Sequence, residues 1–157
     1  MHIKEFDEET FRSLDCSEIA VLTPGVTASC GIESTDVVRG VCRQINPDFI
    51  IAIDSIATRS VERLGSTVQI SDTGLFPGSG VGNCRTAMNE ESLGVPVISV
   101  GVPTVIDSRL FTKADDCDKK PEGEALLVSP KEIDEITDVA SKIIGGAVNQ
   151  AFGISPF

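Results

Sequence analysis

Five consecutive apolar residues, Phe49-Ile50-Ile51-Ala52-Ile53, stand between polar flanks and stop at Asp54. A run this short and this uniformly apolar has no polar face to offer water. It reads as a strand covered on both sides, the kind found inside α/β sheets. The expected strand ends abruptly in Asp54. In open α/β sheets the reactive crevice lies beyond the carboxyl ends of the strands, which makes Asp54 the first candidate for chemistry. A carboxylate at such a place costs free energy unless it is solvated, paired or used. Arg59 and Arg63 follow closely and offer a structural ion pair as the competing explanation.

The rest of the chain alternates in the same sense. A strand is expected at 19–23, stopped by Pro24-Gly25. Val37, Val38, Val41, Cys42 and Ile45 fall on one helical face over 35–45, with Ser34 as N-cap and Asp36 near the positive end of the helix. Asn46-Pro47 breaks that helix. Further strands are expected at 66–71 and 96–102, separated by a glycine-rich loop from Gly74 to Gly82. Residues 111–125 are charged and contain Pro121 and Gly123, which marks a solvated excursion. Ser129-Pro130-Lys131-Glu132 then forms a capping box, ahead of a helix whose apolar face carries Ile133, Ile136, Ala140, Ile143 and Ala147, widened by Ile144 and Val148. Strands alternating with helices imply one α/β domain over 1–157, a three-layer sandwich around a mostly parallel central sheet. With seven Phe and no Trp or Tyr, its core must be built from Val, Ile, Leu and Ala.

The net charge of −11 repels phosphate backbones and anionic lipid, which argues against nucleic-acid and membrane partners. No apolar stretch is long enough to span a bilayer, and the N-terminus carries Lys4, Glu5, Asp7, Glu8 and Glu9 instead of a signal sequence. The five cysteines are odd in number and irregular in spacing, and the one histidine is His2. Free thiols in a cytoplasm, no metal and no cofactor are expected.

Two further motifs compete with Asp54. Asp72-Thr73-Gly74 matches the triplet of the pepsin-like aspartic proteases, in which two aspartates share a proton. Those folds are all-β, so the triplet reads first as a turn, with Asp72 able to line the crevice. Gly78-Ser79-Gly80-Val81-Gly82 has the spacing G-x-G-x-G and fails the dinucleotide fingerprint; its glycines supply backbone shape.

Taken together, Pro24-Gly25-Val26, Gly31-Ile32-Glu33, Asn46 to Asp54, Gln69 to Gly74, Pro77 to Asn83 and Gly101-Val102-Pro103-Thr104-Val105 resemble the spore germination protease family, in order and spacing over roughly 20–107. Ser129 to Gly146 resembles the family's last helix. The resemblance implies an atypical aspartic endopeptidase that degrades small acid-soluble spore proteins at germination. It further implies a zymogen in the cytoplasm of the spore core, a tetramer, and a fold like that of the hydrogenase maturation proteases. It makes Asp54 one of two essential acids and Glu33, Arg59, Gly78, Gly80 and Asn83 candidates for lining the site. The family's other acid lies in an upstream Thr-Pro-Asp segment with no counterpart here, so the chain reads as the C-terminal part of such a protease. Asp72 is then the best second acid within it. In some members a histidine stands where this chain has Phe76. The competing reading is a catalytically silent scaffold or binding subunit of the same fold.

Overall fold

The computed structural model describes residues 18–25, 27–77, 85–111 and 126–153. Among them the elements are helical turn α1 (Thr27–Cys30), helix α2 (Ser34–Ile45), strand β1 (Ile50–Thr58), a 3-10 turn at Val61–Arg63, strand β2 (Gln69–Ser71), helix α3 (Glu90–Leu93), strand β3 (Val97–Asp107), a 3-10 turn at Ser108–Phe111, strand β4 (Leu127–Val128) and helix α4 (Ile133–Ala151). They separate into two compact units. Thr23–Ile136 holds the whole sheet, and the other unit holds the rest of α4.

The α/β class is as expected, but the sheet is mixed. β3 runs parallel to β1 and antiparallel to both β2 and β4. The connection from β1 to β2, residues 59–68, explains part of this. Parallel neighbours need a crossover of about a dozen residues or more, usually through a helix. This link holds only a 3-10 turn, and the chain reverses. The strand expected at 19–23 is also absent. Residues 18–25 take no regular structure, and Val21 is 91% exposed. An apolar run becomes a strand only where a neighbour offers it a ladder, and propensity cannot supply the neighbour.

α2 forms where the period placed it. Its C-terminus is closed by Asn46 in the left-handed conformation (φ 47°), whose N–H donates to the Cys42 carbonyl. The cap position at its start belongs to Glu33, one residue earlier than expected; Ser34 instead donates its hydroxyl to the Gly25 carbonyl at 3.0 Å. α4 begins at Ile133, after a turn at 131–132. Its covered stripe runs through Ile133, Ile136, Ala140, Ile144 and Val148. Ile143, expected on that stripe, is 60% exposed. A step of four from Ala140 to Ile144 follows the 3.6-residue turn better here than a step of three.

One core cluster lies on one face of the sheet, while Val100 and Val102 of β3 are buried on the other. Ala52 of β1, Val97 of β3, Leu93 of α3 and Met88 pack together, with Val38 of α2, Ile50 and Leu75 against them. α2 is tied to α3 by the Arg39 guanidinium, whose Nε donates to the Ser92 carbonyl at 3.0 Å. Ile106 near the end of β3 is fully buried, a burial that stabilises by roughly 1.5–3 kcal/mol.

Candidate active site

Asp54 is the fifth residue of β1 and not its last, because the strand runs on to Thr58. β3 is long and apolar enough to continue the ladder, matching Ser55 to Val102, Ile56 to Pro103 and Thr58 to Ile106. Within the described sheet β1 is an edge strand, also contrary to the central place expected of it. An edge tolerates a charged residue in mid-strand that a central position would not. Asp54 is half-buried and shares the face of Ala52, Ile56 and Thr58, while Ile53, Ser55 and Ala57 on the opposite face are exposed.

The backbone around Asp54 divides by parity. The Ile50 N–H donates to the Pro96 carbonyl at 2.9 Å, so the N–H groups of Ala52 and Asp54 also turn toward β3 and that of Ser55 turns to the open edge. There the Ser55 N–H donates to Asp54 Oδ1 at 2.8 Å. The acid thus satisfies the donor that the open edge leaves over. Across the sheet Asp54 pairs with Gly101, and Gly101 with Gln69. Glycine at 101 leaves room for Ile56, since a Cβ there would stand 2.7 Å from Ile56 Cδ1 unless that side chain shifted.

Just past this row the β1–β3 ladder is broken. Ile56 matches Pro103 and Ala57 matches Val105, which leaves Thr104 over as a bulge. Proline has no N–H for a ladder and is tolerated in a central strand only at such an irregularity. The Pro103 carbonyl accepts the Gly65 N–H at 2.7 Å. The Thr104 side chain, 5% exposed, forms a hydroxyl–hydroxyl hydrogen bond with Ser55. Sequence reasoning named neither Ser55 nor Thr104 as part of the site. The signal for the bulge was present in Pro103, a proline inside an apolar strand.

Asp72 is not brought to Asp54. It follows β2, with β3 between, and two strand spacings separate β1 from β2 by roughly 10 Å. Ser71 lies level with Ser99 and Ala52, so the chain leaves the sheet there, beyond Ala52 and away from the row of Asp54. The turn expected of Asp72-Thr73-Gly74 is present. Ser71 Oγ accepts the Thr73 N–H at 3.2 Å, and Gly74 has φ 79°. A Cβ on Gly74 would come within 2.3 Å of the Met88 carbonyl oxygen. Asp72 itself is exposed.

Glu33 serves as a brace. Its Oε2 accepts the Thr86 N–H at 3.3 Å, and the buried Thr35 donates to the Thr86 carbonyl at 3.0 Å. Arg59 lies exposed in the bend after β1. Among the described residues neither it nor Arg63 pairs with Asp54, so the structural ion pair is not formed. Gly78, Gly80 and Asn83 lie outside the described residues, as do His2, Cys16, Cys84 and Cys117. Phe76 is 63% exposed. Cys42 is a free thiol, and burial pushes it up from its ordinary range. Among the described residues no group of three or more His, Cys, Asp or Glu is gathered as a metal set, and no helix is long and apolar enough to cross a membrane.

Fold and site together define an α/β protein with one oriented carboxylate on the edge of a mixed sheet. Residues 2–118 match the family model described as germination protease. The chain belongs to the germination protease family. The germination protease of Bacillus cereus (strain G9842) is 54% identical over 105 residues, covering 67% of this chain and 27% of the relative. That of Geobacillus sp. (strain WCH70) is 50% identical over 105 residues, with the same coverage of 67% and 27%. That of Clostridium perfringens is 38% identical over 167 aligned positions, covering 85% of this chain and 51% of the relative. The chain thus spans between about a quarter and about half of these relatives.

Proposed function

We propose that this chain forms part of an endopeptidase that degrades small acid-soluble spore proteins at germination, with Asp54 as one of two catalytic carboxylates. The observation that carries the proposal is the Asp54 carboxyl group itself: Oδ1 is held by the Ser55 N–H, and among the described residues no cation neutralises it. An acid so placed is oriented by the backbone yet keeps its second oxygen for a water molecule.

In this mechanism the Asp54 carboxylate takes a proton from a water, whose oxygen attacks the scissile carbonyl carbon. The second carboxyl group, protonated, hydrogen-bonds the carbonyl oxygen and later passes its proton to the leaving amine. Because β3 separates Asp72 from Asp54, the second acid is better supplied from the family's upstream Thr-Pro-Asp segment. Family resemblance extends the proposal to a homo-oligomer in the spore core, formed as a zymogen, with no cofactor and a three-layer fold like that of the hydrogenase maturation proteases.

The test is cleavage of a purified small acid-soluble spore protein by this chain, alone and joined to the upstream segment. Cleavage is expected in the joined form and abolished there by Asp54→Asn. Equal cleavage by the chain alone would make Asp72 the partner acid. No cleavage in either form would favour the scaffold.

A further inference from the structure

We propose that Thr104 and Ser55 are positioning residues for Asp54, and that the bulge of β3 exists at this register to bring them together. The inference deepens the reading of Asp54 as a catalytic acid and rests on it for its catalytic consequence. Its structural part stands independently.

Three observations converge. First, Thr104 is the extra residue of the bulge, and it is 5% exposed. A buried hydroxyl needs a partner, and the partner it has is the hydroxyl of Ser55. Second, Ser55 lies on the edge of the described sheet, where among the described residues its own backbone N–H has no strand to pair with, and it donates to Asp54 Oδ1 at 2.8 Å. Third, the floor beside Asp54 is Gly101, which contributes no side chain and so cannot hold the carboxyl group from across the ladder. The Ser55 amide is therefore what orients the acid, and the Thr104 hydroxyl is what fixes Ser55. Had β3 continued without the extra residue, Thr104 would take a regular ladder position opposite β1. Bulges re-aim side chains in this way beside functional groups.

The consequence is a chain of two hydrogen bonds, Thr104 to Ser55 and Ser55 to Asp54, joining a buried anchor to a half-exposed acid. Loss of the anchor lets the Ser55 backbone and the carboxyl group move together. A displacement of the attacking water on the order of 1 Å can cost up to about a hundredfold in rate. Substrate contacts are untouched by this change, so the loss should fall on kcat and leave KM nearly unmoved.

The experiment uses Thr104→Val, Ser55→Ala, the double variant and Thr104→Ser in the full chain. Amide hydrogen exchange at Ser55 is read by NMR, and peptidase kinetics are measured where cleavage is detectable. Ser55 protection in the parent chain should exceed that of Ile53 and Ala57 on the same edge. Thr104→Val and Ser55→Ala should each lower it by about tenfold, the double variant no further, and Thr104→Ser should restore it. Ser55→Ala alters an exposed residue and keeps the backbone N–H, so it remains informative if Thr104→Val fails to fold. Unchanged Ser55 protection in both single variants, or additive losses in the double, would overturn the proposal. If no form cleaves substrate but the exchange pattern holds, the catalytic reading of Asp54 falls and the positioning stands. If cleavage is robust while kcat ignores Thr104→Val, Ser55→Ala and the double variant, the positioning falls and the catalytic reading stands.

Discussion

Asp54 and Asp72 each close a run of strand-forming residues, and the fold gives them opposite surroundings. Asp54 is carried inside a nine-residue strand that β3 matches almost throughout, and its carboxyl group is held by the amide of the next residue. Asp72 follows a strand of three residues and enters a turn held by Ser71, Gly74 and the Leu75–Met88 bridge. One acid is oriented by a ladder while the other lies exposed at a turn. The difference shows that an acid at the end of a strand-like run means little until the length of the ladder beside it is known.

The largest effect should come from neutralising the two acids in a form that cleaves substrate. Asp54→Asn should reduce kcat by about a hundredfold or more, as removal of a general acid or base commonly does, and Asp72→Asn by less than about threefold. Thermal unfolding of both variants should stay near that of the parent. A larger loss at Asp72 would erase the contrast between the two regions.

Stability should reverse the order. Gly74→Ala combines a left-handed backbone with a clash against the backbone oxygen of Met88, and should cost about 3 kcal/mol in denaturant unfolding. Gly101→Ala meets only the Ile56 side chain, which can shift, and should cost about 1–2 kcal/mol. Equal costs at the two glycines would mean that the turn is no more tightly specified than the floor beside Asp54.

A smaller effect is expected behind the turn. Asn89 caps α3 by accepting the Ser92 N–H at 3.0 Å, and its Cα and Cβ lie against Gly74. Asn89→Ala should cost about 1 kcal/mol, the usual value of a lost N-cap.

The smallest effect concerns a third acid, at the end of β3. The Arg109 guanidinium hydrogen-bonds Asp107, with Nε to Oδ1 at 3.0 Å, and together with the Arg109 backbone N–H holds that carboxyl below the usual range. A lowered carboxyl favours the ionised folded state, so its contribution is present above the unfolded carboxylate range and lost as the pH falls through the folded value. Asp107→Asn should therefore flatten the acid limb of a plot of urea midpoint against pH and leave the neutral range little changed. An acid limb as steep as in the parent would assign the loss to other carboxylates.

Much of this protein was legible in one dimension. The period of Val38 and Cys42, with Asn46-Pro47 after them, fixed α2; the apolar run before Asp54 fixed a strand; Gly74 fixed a turn at the D-T-G triplet. The motifs in order were enough to place the family. These features share a cause, since helical period, caps and left-handed glycines act over a few neighbouring residues. What tertiary structure alone decided depends on which distant segments meet. It prolonged β1 past Asp54 to Thr58, left 19–23 unpaired, reversed β2 and β4 against β3, and put β3 between Asp54 and Asp72. It also set Thr104 against Ser55, a contact across 49 positions of sequence. A strand is defined by the ladder it joins, and the partner in that ladder is chosen by packing of the whole sheet, which no local pattern of residues encodes.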